Sequence, residues 1–157
     1  MKKAIALLTI IVLTFSSYTT NVNADSPRTT STTIEYISDN IYVETIISEE
    51  ESATFFSATI TKTVSKIFNI KNENNEILAS FKLNGTFSYD GTSSTCTRCS
   101  YSPSINDNTW RFTSSNAYKS GNSAVGTFTA SCYRYNIVVQ TISKTITITC
   151  DANGNIS

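Results

Sequence analysis

Residues 77–89 read ILASFKLNGTFSY, and their alternation decides the fold class. Ile77, Ala79, Phe81, Leu83, Phe87 and Tyr89 share one parity, with Gly85 in the same register. Successive side chains of a strand point to opposite faces, so this is one long β-strand with an apolar face and a wet one. Gly85 marks a bulge or a bend, the usual role of a glycine inside a strand. Immediately upstream, KNENNE (71–76) predicts a hairpin loop. It joins this strand to a second alternating segment through Phe56, Ala58, Ile60, Val64, Phe68 and Ile70. Lys62 and Lys66 fall on the apolar parity there, and a bulge is the device that would turn them out.

The same period continues in both directions. IYVETII (41–47) follows a Ser38-Asp39-Asn40 turn. Past the Asp90-Gly91 turn come strands through Cys96 and Cys99, around Trp110 to Phe112, from Ala124 to Tyr133, and from Ile137 to Cys150. Cys150 shares parity with Ile142, Ile146 and Ile148, and Cys132 with Phe128 and Ala130, so both cysteines point inward. No stretch has helical period. The expected fold is all-β, a single antiparallel β-sandwich, immunoglobulin-like, of seven to eight strands.

The ends set the compartment. A basic start at Lys2 and Lys3, an apolar run from Ala4 to Phe15 and the small residues Val22 and Ala24 read as a signal peptide over 1–24, cleaved before Asp25. The run is too short to span a membrane, and no cysteine lies near the cleavage site to carry a lipid. A polar leader over 25–33 is expected to be disordered, with one domain over 34–157. The terminal DANGNIS (151–157) holds no apolar or basic anchor. A secreted, extracellular protein follows, free or associated with the cell wall.

Composition then removes whole classes of function. Without Lys2 and Lys3 the 12 basic residues no longer balance the 12 acidic ones, and the net charge is −2. Nucleic acid is not expected as a partner, nor is a membrane after signal cleavage, because both demand a basic patch. The chain has no histidine, which excludes a Ser-His-Asp or Cys-His arrangement and the commonest zinc ligand. No metal and no cofactor is expected. Carboxylates for glycoside hydrolysis would have to come from Glu44, Glu49, Glu50, Glu51, Asp90 and Asp107, and Glu49–Glu51 read as a solvated loop. No catalytic residue is assigned, and an enzyme is not expected. Asp151, Asn153 and Asn155 alternate oxygens as a calcium loop does, but the downstream acid is missing and a terminal turn is expected. An isopeptide bond from Lys62 or Lys66 to an asparagine is conceivable in a sandwich of this kind.

The CTRC at 96–99 raises a redox pair, a zinc knuckle or structural disulfides. A redox pair wants a helix N-terminus in a βαβ setting, and zinc would need a second closely spaced pair. Neither is present, so disulfides are expected. Three residues apart in a strand, Cys96 and Cys99 would face opposite sides, so separate long-range partners fit more easily. Cys96 with Cys150 and Cys99 with Cys132 come first, the reverse pairing next. Each loop would contribute roughly 4 kcal/mol, the second less because the loops overlap.

Several segments carry a resemblance: ETIISEEES (44–52), NGTFSYDGTSSTCT (84–97), the lone Trp110 before SSNAYKSGNSAVGTFTA (114–130), and QTISKTITITCDANGNIS (140–157). Together they resemble a set of short secreted proteins of Gram-positive bacteria that carry no assigned function. The resemblance implies a bond between Cys96 and Cys150, the usual pair of that set. The two added cysteines, Cys99 and Cys132, imply an extra one, and no activity is implied. For ligand binding the candidates are the aromatics. Tyr133 and Tyr135 take the parity opposite Cys132 and are expected to be exposed; Trp110 shares parity with Phe112, where core packing competes with a binding role. The expected function is non-catalytic binding of cell-wall or environmental polysaccharide. The alternative is a protein-directed or toxin-like factor that engages a cell-surface protein.

Overall fold

The computed structural model describes residues 28–38, 40–52 and 60–157. The expected signal peptide, residues 25–27 of the leader, and the alternation through Phe56 and Ala58 lie outside the described residues. The eight strands are β1 (Arg28–Ser38), β2 (Ile41–Ser52), β3 (Ile60–Asn72), β4 (Ile77–Tyr89), β5 (Ser94–Ile105), β6 (Trp110–Ser120), β7 (Ser123–Arg134) and β8 (Ile137–Thr149). They form two antiparallel sheets, β1-β2-β3-β4-β5 and β6-β7-β8. The all-β sandwich architecture is as expected. Its strand order corrects the immunoglobulin-like part of that reading: neighbours in space are neighbours in sequence, a simple meander without the Greek-key connections of an immunoglobulin domain.

A second correction concerns the leader. β1 begins at Arg28, so residues 28–33 pair with β2 instead of preceding the domain. Ser31, Thr32 and Thr33 are exposed, because β1 is an edge strand with little to bury, and no apolar residue before Ile34 announces it.

The core lies where the apolar parities of β3, β4, β7 and β8 meet. Phe81, Leu83 and Phe87 of β4 face Phe128 and Ala130 of β7 and Ile142, Ile146 and Ile148 of β8, all buried. The Phe81 and Phe128 rings stack at 4.8 Å, and Phe68 meets Phe128 edge-on at 5.1 Å. Each such side chain removed from water contributes about 1.5–3 kcal/mol. Gly85 does not bulge the strand; a Cβ there would meet the Phe87 ring at 2.7 Å, so the missing side chain is the space the ring occupies.

No bulge turns Lys62 and Lys66 out. They pair with Phe87 and Leu83 and so share the inward parity, but their ammonium groups reach the open side of the sandwich. Lys62 meets Glu49 at 3.1 Å and the Gly154 carbonyl at 2.8 Å, while Lys66 donates to the Thr147 carbonyl of β8 at 3.0 Å. Burial lowers the Lys66 pKa. Lys144 of β8 adds an ion pair to Glu35 of β1 at 2.7 Å. Lysine stems thus cover the gap between the sheets while their charges find partners.

Candidate functional site

In an eight-stranded meander the turns β1–β2, β3–β4, β5–β6 and β7–β8 all fall at one end. Between them lies a cleft of about 500 Å³. Its floor includes Trp110, only 2% exposed, at the start of β6. Leu78 and Val139 form apolar walls, and both are bulge residues: the register skips Leu78 between Ala79 and Ile77, and Val139 between Gln140 and Val138. A bulge re-aims a side chain at the rim of a sheet, and here two of them, one per sheet, open the cleft. The amides of Asn40, Asn72, Asn74 and Gln140 supply donors and acceptors around it. Its charged groups are Glu73, Asp107 and Arg134.

The rim is tied down by its own hydrogen bonds. The Asp107 carboxylate accepts from the Thr109 N–H and hydroxyl, both at 2.8 Å. The Asn106 and Asp107 N–H groups donate to the Leu78 carbonyl, which anchors the β5–β6 corner on the β4 bulge. Tyr133 N–H donates to the Thr109 carbonyl at 2.7 Å. Beneath the β3–β4 turn, Lys71 pairs with Glu44 at 2.8 Å and donates to Asn75 Oδ1 at 3.1 Å, and Asn69 donates to Glu44. The Tyr42 hydroxyl donates to the same Asn75 oxygen at 2.6 Å. The Lys71 hydrogen bond is the main reason the Glu44 carboxyl titrates below its usual range, with help from Asn69 and against the cost of burial. Asn75 sits at φ 67°, a left-handed conformation that asparagine tolerates.

The candidate aromatics are not brought together. Trp110 lines the cleft. Tyr135 stands 98% exposed at the β7–β8 hairpin tip, where it and Asn136 both have positive φ. Tyr133 points to the opposite face of β7 and is half-buried under the Arg111 guanidinium, 5.0 Å from its ring centre. The cleft residue between the two tyrosines is Arg134.

All four cysteines are unbonded. Cys96 and Cys150 are buried in the core at the end opposite the cleft, and their N–H groups donate to the adjacent carbonyls of Gly121 and Asn122. Cys99 does not face away from Cys96. Thr97 is an extra residue between the pairs Thr86–Arg98 and Phe87–Cys96, and this bulge brings Cys96 and Cys99 onto one face, opposite Phe87 and Gly85. The pairing of Cys99 with Cys132 is overturned by register. Cys99 meets the Val125 backbone of β7, whereas Cys132 lies seven residues along the same strand and lines the cleft. That separation is roughly 23 Å, against the ~6 Å between Cα atoms that a disulfide allows. Burial pushes the Cys96 and Cys99 thiols up, the reverse of a redox pair.

The other candidates resolve locally. The ammonium groups of Lys62 and Lys66 donate to a carboxylate and to backbone carbonyls. Asp90 accepts from Thr92 and Ser93 in its own turn, which pulls its pKa down to about 2. Asp151 does the same with Asn153 and Asn155, as a terminal turn would. Of the carboxylates considered for hydrolysis, Asp107 reaches the cleft, while Glu44 and Glu49 are held by lysines.

Glu73, Asn74, Gln140, Arg134 and Leu78 were not among the candidates from sequence. A signal was present: SDN (38–40), KNENNE (71–76) and NDNT (106–109) are turns rich in amides and acids, and a meander places all of them at one end. No protein-family model, curated protein or solved structure matches the chain.

Proposed function

We propose that this chain is a secreted, non-catalytic binding protein that recognises cell-wall or environmental polysaccharide through the cleft at its hairpin end. One observation carries the reading: an apolar wall at half-exposed Val139, over buried Trp110, ringed by four amide side chains. A sugar offers an apolar face to the first and hydroxyls to the second. The Asn72–Glu76 and Asp107–Thr109 hydrogen bonds tie down the rim before any ligand arrives, which reduces the ordering cost of binding. The signal-like segment at 1–24 supports export. In an oxidising compartment the Cys96–Cys150 bond would staple the end of the sandwich opposite the cleft, leaving Cys99 and Cys132 as thiols.

The test is co-sedimentation of residues 25–157 with cell walls and a panel of insoluble polysaccharides. Retention should be lost in Asn40→Ala/Asn74→Ala, whose side chains are exposed at the rim, and kept in Tyr133→Ala/Tyr135→Ala, whose rings lie outside the cleft. No retention on any polysaccharide refutes the reading and turns the search to a protein partner.

A further inference from the structure

The cleft does not end at its own rim. A second, more open hollow of about 520 Å³ adjoins it and shares Leu78 and Asp107 as a common wall. The two lobes lie side by side across the hairpin end. Its charge is one-sided. Glu73 stands in the first lobe, Glu76 in the second and Asp107 between them, and Arg134 is the lone cation among the described residues lining either. Glu73 and Glu76 are exposed and face an incoming chain. One Glu76 oxygen accepts from Asn72 at 2.7 Å, which fixes the direction of that carboxylate. Val139, half exposed on the wall of the first lobe, supplies the apolar surface for a sugar ring, while Trp110 and Leu78 are buried.

Resting on the polysaccharide reading above, we propose that the paired lobes select a linear polymer of amino sugars whose amines are free and protonated. Hydroxyl groups meet the amides of the rim, and the ammonium groups fall against Glu73, Asp107 and Glu76. A neutral or N-acetylated chain gains the first set of contacts and not the second. A uronic acid chain meets repulsion from all three carboxylates.

The test compares retention of the purified protein on a β-linked glucosamine polymer, on the same polymer fully N-acetylated, on cellulose and on an acidic polysaccharide, with soluble polylysine as competitor. Preferential retention on the free-amine polymer is expected, weakening as salt rises and as pH climbs and the amines lose their protons. Glu73→Gln/Glu76→Gln keeps both side-chain shapes and should weaken that retention roughly threefold to tenfold, a larger factor than on the acetylated polymer. Equal retention on free and acetylated polymers overturns the inference and leaves the polysaccharide reading standing; so does indifference to the double substitution. Displacement by polylysine as effectively as by soluble glucosamine chains also overturns it, since the sugar would then contribute nothing. Retention on no polysaccharide at all removes both.

Discussion

Gly85→Ala tests the packing that carries the sandwich. The added methyl would lie 2.7 Å from two carbons of the Phe87 ring and 3.0 Å from the Ala124 Cβ across the sheets. Phe87 is fully buried, so its ring has no solvent to swing into, and Ala124 is held by β7 pairing on both sides. Forcing one extra carbon into such a site costs about 1–3 kcal/mol. Replacing glycine by alanine in a strand returns about 0.5–1 kcal/mol by restricting the unfolded chain. Taken at the middle of both ranges, the difference is a net loss of about 1 kcal/mol, a fall of roughly 3–5 °C in Tm for a domain of this size. Thermal and urea unfolding of Gly85→Ala would measure it. A double-mutant cycle with Phe87→Leu should recover much of the loss, because the smaller side chain vacates the contact. A neutral or stabilised Gly85→Ala, or an equal loss in the Phe87→Leu background, would refute the close approach as the reason for this glycine.

Two further predictions concern the cysteines and one buried ion pair. After oxidation, the denatured protein should titrate two thiols, Cys99 and Cys132, with Cys132→Ser as stable as the parent and Cys150→Ser weaker by about 4 kcal/mol; a count of zero thiols would overturn the proposed pairing. Glu44 titrates below its unfolded value, so its contribution is present at neutral pH and fades as pH falls through the folded value. Glu44→Gln, which strips the buried Lys71 of its counter-charge, should cost about 1–3 kcal/mol at pH 7 and should flatten the acid limb of a stability–pH curve; an unchanged acid limb would exclude Glu44 as its source.

The alternation of residues 77–89 was enough to place β4, its inward face and the hairpin before it, because period two survives wherever one face is buried. The same rule failed in three instructive places. The first half of β1 carries no apolar residue before Ile34, and Ile34 and Tyr36 are exposed, since an edge strand has little to bury. Thr97 shifts the parity of β5 by one, so counting along the strand put Cys96 and Cys99 on opposite faces when they share one. Strand order was also beyond the pattern. Alternation reports which face is buried and says nothing of whether successive strands adjoin, so meander and Greek key read alike. The cleft was half legible for the same reason. Its turn chemistry stands in the sequence at 38–40, 71–76 and 106–109, but the convergence of those turns on Trp110 depends on the meander, and the aim of Leu78 and Val139 depends on bulges.

Trp110 is the single tryptophan of the chain; it lines the cleft and packs in the core behind it, so its fluorescence senses the cleft from beneath. Titration with soluble oligosaccharides cut from whichever polysaccharide retains the protein is therefore the most direct measurement. A saturable change in emission, lost in Asn40→Ala/Asn74→Ala and kept in Tyr133→Ala/Tyr135→Ala, is the result expected of binding at the hairpin end. Saturable binding with the emission of Trp110 unmoved would contradict it and place the sugar elsewhere on the sandwich.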